Sequence, residues 1–367
     1  MNQCTVESPR LSGSEPGGFA ATDRERGRGT VLIAAAVAAA ALAGCAPGSD
    51  AKGPPFAADL LPPTLLSAEA RDGRTLVFLF DEAATPTSDD IAVDPALPVE
   101  SVVSEERMTT LRFAEDQIVG ESYVVRMDVE DGTGNSLSFL YEFTGWNPRI
   151  PDLLINEINP RGSDSTPDCI ELRAMSGGNL GGLWLTVGTA DRYSGDILLP
   201  AVEVAEGDYL LIHAKGRGLP EEIDETGDMD ASGGRLASDT ARDFWMPGAP
   251  GLPGNNGAVV LHARRGGPVI DAVLWTDRTF DPDDEDLGWT RDGLVFATAL
   301  GNAGAWKAAE GGTPTPSDAV DASKSTATRS ICRASIPVDE DAASDWHVVP
   351  TSGQTFGSVN SDEVHVP

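Results

Sequence analysis

The chain is poor in the residues and motifs that mark most enzymes. It has four cysteines and four histidines among 367 residues, and aromatic side chains make up 6%. It contains no Gly-x-Ser-x-Gly turn, no His-Glu-x-x-His helix, no Cys-x-x-Cys pair and no Gly-x-x-x-x-Gly-Lys-Ser/Thr loop. These absences exclude the corresponding hydrolase, zinc protease, thiol redox and nucleotide-binding classes. We therefore predict that the protein is not an enzyme.

Positive charge is also scarce. The sequence has 26 basic against 58 acidic residues, which gives a formal net charge of −32 at pH 7. Such a field repels phosphate backbones, so nucleic acid is excluded as an expected partner. It also argues against charge-driven binding to an anionic membrane face. Solubility at an outer surface is the favoured interpretation, with divalent cation binding as a second one.

Only one hydrophobic run stands out. Residues 31–43 are apolar and uncharged, and Arg24, Arg26 and Arg28 lie just upstream. A helix of this length reaches about 20 Å, which is well short of the roughly 30 Å hydrocarbon core of a bilayer. A basic stretch, a short apolar stretch and small residues at a cleavage point are the three parts of a secretory signal.

The end of this run, Leu-Ala-Gly-Cys at 42–45, resembles the lipobox of bacterial lipoproteins. The resemblance implies that Cys45 receives a diacylglyceryl group on sulfur, that the signal peptide 1–44 is cleaved, and that the new amino group is acylated. Two or more acyl chains anchor a protein stably. The leader exceeds the usual length of about 15–30 residues, so either its basic part is extended or translation starts nearer Arg24. With either start, we expect the protein to be anchored to a membrane of the cell envelope and to face outward, at the outer membrane or cell surface.

Composition beyond the leader favours strands over helices. Forty glycines and 26 prolines with few aromatics are typical of many short strands and turns. Residues 45–62 lack periodicity and are interpreted as the lipidated cysteine and a flexible tether. We predict an all-β protein with two tandem Ig-like β-sandwiches after the signal and the tether.

The first predicted domain spans residues 63–145. Alternation of apolar and polar side chains predicts strands at 75–80, 109–113, 123–127 and 137–141. The segment resembles a bacterial Ig-like domain at Pro63, 72–76, 80–82, 120–123 and 131–135. The resemblance implies a spacer or binding module with no catalytic residues.

The second predicted domain spans residues 151–350. Its strands are predicted at 153–160, 168–173, 179–186, 209–213, 257–262 and 269–275. The runs Ile-Asn-Glu-Ile-Asn-Pro, Ile-Glu-Leu and Leu-Gly-Gly-Leu-Trp-Leu resemble the lamin tail domain, an Ig-like sandwich also found in exported bacterial proteins. Two insertions, 214–250 and 281–326, depart from that pattern. Structureless loops of this length are usually functional or disordered. Residues 351–367 are interpreted as a C-terminal tail.

Two cysteines remain once Cys4 leaves with the signal and Cys45 carries lipid. Export permits Cys169 and Cys332 to pair. Because they lie far apart in sequence, pairing requires the last strands to fold back beside the first. A disulfide and two isolated half-buried thiols are both open at this point.

One segment of the first insertion has the spacing of a calcium loop. Asp228, Asp230, Ser232, Gly233 and Asp239 occupy loop positions 1, 3, 5, 6 and 12. Against calcium, position 12 is not the longer glutamate, position 8 is an arginine, and no amphipathic helices flank the loop. A solvated turn is the alternative interpretation.

These features favour an exported lipoprotein that acts as a non-catalytic interaction or structural module of the envelope. Its expected partners are the membrane, through the lipid anchor, and an unidentified protein or envelope component. No cofactor is expected apart from calcium. The alternative is a metal-dependent extracytoplasmic hydrolase that uses the acidic insertions.

Overall fold

The predicted all-β class is confirmed by the computed structural model, which describes residues 59–87, 91–279 and 289–366. The predicted signal peptide, Cys45 and most of the tether lie outside the described residues. In the described ranges the chain forms strands, one α-helix and one short 3-10 helix at Ala343–Asp345. No helix there is both long and apolar enough to cross a membrane.

The first sandwich is built from eight strands in two sheets. They are β1 (Leu65–Asp72), β2 (Thr75–Phe80), β3 (Ala84–Pro86), β4 (Ala92–Asp94), β5 (Val99–Glu105), β6 (Met108–Phe113), β7 (Ser122–Asp131) and β8 (Ser136–Thr144). One sheet has the order β1-β2-β6-β5, and the other joins β3, β4 and β8 to β7. Alternate residues of β2 and β7 are buried, as expected of strands with one face on the core. Phe78 and Tyr123 belong to that core.

The second sandwich follows and is larger. Its strands are β9 (Leu153–Ile158), β10 (Cys169–Ala174), β11 (Gly178–Asn179), β12 (Trp184–Thr189), β13 (Arg192–Leu198), β14 (Glu203–Val204), β15 (Tyr209–His213), β16 (Arg242–Trp245), β17 (Asn256–His262), β18 (Val269–Thr276), β19 (Val320–Asp321), β20 (Ile331–Arg333) and β21 (Trp346–Val348). A six-stranded sheet, β16-β15-β10-β9-β20-β21, faces a five-stranded sheet, β13-β12-β17-β18-β19. The apolar core lies between them.

Several strands of the second sandwich are buried on both faces. Every residue of β9, β12 and β17 is buried, so an additional layer must cover each sheet from outside. Helix α1 (Arg291–Ala303) packs on β12, β17 and β18. The tail at 351–366 contacts the six-stranded sheet.

Helix α1 falls inside 281–326, which the sequence analysis interpreted as a long loop. That interpretation was wrong for this part. Thr290 caps the helix by accepting a hydrogen bond from the backbone of Gly293, and Gly304 ends it in the left-handed conformation. Phe296 and Leu300, one turn apart, are buried against the sheet.

Polar contacts connect the two sandwiches, which belong to one compact unit. Asn147 in the junction donates through Nδ2 to the carbonyl oxygens of Asn179 at 2.7 Å and Gly181 at 3.0 Å. Arg264, in the β17–β18 turn, lies 3.1 Å from the carboxylate of Glu69. The junction is therefore held on both sides by hydrogen bonds and an ion pair.

Candidate functional site

The outer face of the six-stranded sheet carries two carboxylates side by side. Strand register places Glu171 of β10 directly opposite Glu157 of β9, and Glu157 opposite Cys332 of β20. All three side chains are fully buried. Charged residues are rarely found in such a position without partners, so their hydrogen bonds decide what the site is.

Most of the hydrogen bonds to these carboxylates come from the C-terminal tail. Glu157 accepts from the backbone N of Thr355 at 3.1 Å and from its hydroxyl at 2.7 Å, and also from the hydroxyl of Ser330. Glu171 accepts from the backbone N of Gly357 at 2.5 Å and from Nδ2 of Asn156 at 2.6 Å. The tail thus supplies donors to both members of the pair.

Burial and the neighbouring charge change the acidity of this pair. Burial raises the pKa of Glu171 to about 8, with a further contribution from the charge of Glu157. Burial also raises the pKa of Glu157, although hydrogen bonds from Ser330 and Thr355 oppose that shift. The raised pKa of Glu171 favours its protonated form, which lessens the repulsion between the two adjacent buried carboxylates.

A pair of asparagines fastens the tail beside these carboxylates. Asn156 donates through Nδ2 to Oδ1 of Asn360 at 2.9 Å, and Asn360 donates back to the carbonyl oxygen of Asn156 at 3.1 Å. Asn360 also donates to the carbonyl oxygen of Arg333 at 2.9 Å. The tail is consequently part of the hydrogen-bonding pattern of the sheet.

A second buried cluster surrounds the guanidinium of Arg333 on β20. Its Nη2 lies 3.0 Å from Asp271 and 3.2 Å from Asp339, and its Nη1 lies 3.4 Å from Asp345. The ring of Trp346 is 4.7 Å from the guanidinium carbon. Burial raises the pKa of Asp271 to about 7 even though Arg333 attracts its charge. This is a buried structural ion cluster.

A histidine and an aspartate lie together on the same sheet. His213 Nε2 is 2.6 Å from Oδ1 of Asp243, and both side chains are buried. The ring of Trp245 stacks on the imidazole with centroids 3.8 Å apart. Cys169 lies opposite His213 in the register, but burial raises the pKa of its thiol far above the usual value. Because thiolate is the nucleophile, this set of residues does not form a reactive cysteine site.

Of the two possibilities that the sequence left open for Cys169 and Cys332, a disulfide and two isolated thiols, the structure has the isolated thiols. Cys169 and Cys332 are both free and buried. The last strands do fold back, because β20 pairs with β9, yet β9 separates β20 from β10. Cys332 is in line with Glu171 rather than with Cys169, so two strand spacings and a two-residue offset put the two cysteine Cα atoms about 12 Å apart. A disulfide requires less than about 7 Å.

The predicted calcium loop is not assembled either. Asp228, Asp230 and Asp239 are exposed, and within the described ranges their carboxylates do not converge on one point. Ser232 accepts a hydrogen bond from the indole of Trp245 through its hydroxyl, at 2.9 Å. Gly233 is not left-handed, whereas the next glycine is, at φ +95°. Position 6 therefore lacks the sharp turn that a calcium loop requires.

Three other carboxylates do converge in the described part of the chain. Ligand atoms of Asp59, Glu82 and Asp131 all lie within 4.8 Å of one another, so together they could hold a divalent cation. Asp131 is tied to its own turn: although burial opposes it, hydrogen bonds from Asn135 and Thr133 lower the pKa of Asp131 to about 2. The sequence analysis named 80–82 and 131–135 as matches to the Ig-like pattern but did not predict that their carboxylates meet Asp59.

Comparison with known proteins assigns the second sandwich to a family. The family model described as TP_1001_2nd, a protein second domain, matches residues 151–348. This is more than half of the chain, and the protein belongs to that family.

An uncharacterized protein of Treponema pallidum (strain Nichols) is 30% identical over 185 residues, covering 49% of this chain and 47% of the relative. The chain thus spans about half the length of the curated relative that it matches. Among solved structures, dimeric latent PorU from Porphyromonas gingivalis covers 59% of this chain and 20% of its own, at 12% identity and a TM-score of 0.16. A likeness this weak carries no argument.

Proposed function

We propose that the protein is a membrane-anchored exported lipoprotein whose two sandwiches act as a non-catalytic interaction or structural module at the cell envelope. The observation that carries the proposal is Leu-Ala-Gly-Cys at 42–45, directly after an apolar run and a basic stretch. Acyl chains on Cys45 would hold the protein to a membrane, and the tether would separate the sandwiches from it.

The chemistry of the buried polar groups supports a non-catalytic role. Glu157 and Glu171 are hydrogen-bonded to the chain's own tail, and Arg333 is surrounded by the chain's own carboxylates. A catalytic acid or base has to reach substrate, either directly or through one water. Groups enclosed by their own chain instead stabilise one conformation, which suits a rigid interaction module.

We also propose finer family relationships than the second-domain family alone. The first sandwich is related to bacterial Ig-like domains and the second to lamin tail domains. What supports the second relationship is that its three characteristic runs lie in β9, β10 and the β11–β12 region.

The decisive experiment follows lipid on Cys45. Cells that express the protein are labelled with a radioactive fatty acid, and wild type is compared with Cys45→Ser and with Cys4→Ser. We expect label on wild type and Cys4→Ser, and an unlabelled, unprocessed precursor for Cys45→Ser, because only Cys45 follows the small residues of the motif. Equal label on all three proteins contradicts the anchor. Protease treatment of whole cells then reports which side of the outer membrane the sandwiches occupy.

The alternative, a metal-dependent hydrolase, has one observation in its favour, the group formed by Asp59, Glu82 and Asp131. The acidic insertions on which that interpretation was based lend less support, since the carboxylates around Asp230 do not converge. Phosphodiesterase and esterase assays with and without calcium distinguish the two functions. Metal-dependent turnover that Asp131→Ala abolishes would favour the enzyme.

A further inference from the structure

The insertion at 214–250 builds a pocket at the edge of the six-stranded sheet. The pocket has a volume of about 310 Å³. Its uncharged wall consists of the ring of Trp245 with Pro167, Leu219 and Gly234. Its charged lining residues are the cations Lys215, Arg217 and Arg235 and the carboxylates Glu221 and Glu222. Small-ligand sites combine apolar walls with a few charged groups; this pocket is more charged than that, and its volume is near the lower limit of their range.

The ring of Trp245 is fixed in orientation before any ligand binds. One face stacks on His213 with an interplanar angle of 12°, and the indole N–H donates to the hydroxyl of Ser232 at 2.9 Å. His213 is itself held by Asp243 at 2.6 Å. Trp245 is only half-buried and lines the pocket, so the part of the indole that His213 does not cover contributes to the pocket wall.

Two glycines let the backbone of the insertion approach this ring closely. A Cβ added to Gly234 would lie 3.0 Å from the Cη2 atom of Trp245, and one added to Gly216 would lie 3.3 Å from its Cε3 atom. Gly234 also has φ +95°, a conformation that other residues rarely adopt. These two glycines therefore let the backbone of the insertion pack directly against the ring.

Three cations around one ring are unusual in a chain of net charge −32. Lys215, Arg217 and Arg235 all line the pocket. Of the two carboxylates there, Glu222 is bound by the backbone N–H groups of Arg217 at 2.8 Å and Gly218 at 2.6 Å. Burial opposes ionisation of Glu222, but these hydrogen bonds lower its pKa. Glu222 is thus hydrogen-bonded by its own loop. Arg217 Nη2 donates to the carbonyl oxygen of Asp164 at 3.2 Å and lies 3.9 Å from its carboxylate. Among the described residues, Lys215 and Arg235 line the pocket without an ion pair of their own.

We propose that this pocket binds one carboxylate-bearing sugar residue of an envelope glycan. The C–H faces of a pyranose ring pack against an exposed indole, and guanidinium groups match the planar geometry of a carboxylate. A pocket of about 310 Å³ accommodates one sugar ring rather than an extended chain. The proposal deepens the interaction role given above and rests on it for the location of the ligand.

The test is isothermal titration calorimetry of the purified protein with galacturonic acid and digalacturonic acid. Their uncharged methyl esters serve as matched controls. We expect the acids to bind, the esters to bind at least tenfold more weakly, and added salt to weaken the acids only. A dimer that binds better than the monomer points to a glycan as the source of the ligand, and equal binding points to a free sugar acid.

Arg235→Glu is the informative variant, because this exposed side chain leaves the stacked ring and the buried pair intact. It should weaken acid binding at least tenfold, whereas Arg71→Glu, an exposed arginine in the first sandwich, should bind as wild type. No binding of either acid, equal binding of acids and esters, or equal behaviour of the two variants would overturn the proposal. Lipidation of Cys45 is measured separately, so the two proposals fail independently.

Discussion

The two sandwiches bury their strands differently. In the first, β7 alternates buried and exposed residues, so one sheet face meets the core and the other meets water. In the second, β9 is buried at every residue because the tail covers its outer face. An extra layer lets a sheet hold charges such as Glu157 and Glu171 inside the protein, where they require specific partners. The difference separates a simple two-layer module from one whose stability depends on a few buried polar groups.

The largest expected effect concerns the guanidinium of Arg333. Replacement by methionine leaves Asp271, Asp339 and Asp345 without their common cation, and Asp271 fully buried. Removing one partner of a buried ion cluster costs about 3–5 kcal/mol of unfolding free energy. The matched change Arg112→Met, an exposed arginine of the first sandwich, should cost less than about 1 kcal/mol. Urea denaturation measures both, and equal losses would remove the contrast between the two regions.

The next effect is the dependence of stability on pH. The pKa of Glu171 rises from its usual 4.5 to about 8 in the folded protein. Folding therefore favours the protonated form, so this contribution is fully present below pH 4.5 and is lost as the pH rises to about 8. Asp131 of the first sandwich has the opposite sign, because its pKa falls from 3.8 to about 2. Its contribution is present above pH 3.8 and is lost as the pH falls towards 2.

Urea titrations followed by tryptophan fluorescence measure the contribution of Glu171, since all tryptophans except Trp146 belong to the second sandwich. Between pH 5 and pH 8 the unfolding free energy should fall in wild type. Glu171→Gln should flatten that decline, and Glu100→Gln, an exposed change, should not. An unchanged slope in Glu171→Gln would show that other groups carry the dependence.

The smallest effect is expected where the two sandwiches meet. Arg264 and Glu69 are both more than a third exposed, at 36% and 42%, so solvent screens their ion pair. A double-mutant cycle with Arg264→Ala and Glu69→Ala should give a coupling energy of about 1 kcal/mol or less. The pair Arg112 and Glu100, within the first sandwich, is the comparison. A coupling several times larger would mean that solvent does not screen this ion pair and that it contributes substantially to the contact between the sandwiches.

Strands were the part of the fold that sequence could predict. The predicted strands 75–80 and 209–213 have the same bounds as β2 and β15, because turn residues delimit a short apolar run at both ends. Helix α1 was missed, since its glycines and polar residues hide a short apolar stripe. Its capping residue, Thr290, was the available signal.

The buried carboxylates could not be predicted for a different reason. Glu157 is covered by Thr355, which lies 198 residues further along the chain. A strand pattern shows which residues share a face, but it does not show what packs on that face from so far away. The calcium loop predicted from residue spacing was wrong for a similar reason, because loop positions alone do not make Asp228 and Asp239 converge. Ligand geometry depends on the turn, and the turn places its left-handed glycine one residue late.

The two buried free thiols make local opening of the second sandwich measurable. Cys169 and Cys332 lie on strands that flank β9, and both are fully buried. A thiol reagent reaches these buried side chains only when the segments that cover them open locally. The labelling rate therefore depends on how often the segments open. Local openings have free energies that range from near zero to that of global unfolding. When reclosing is faster than labelling, each cysteine therefore reports the free energy of local opening at its own position, without an introduced cysteine.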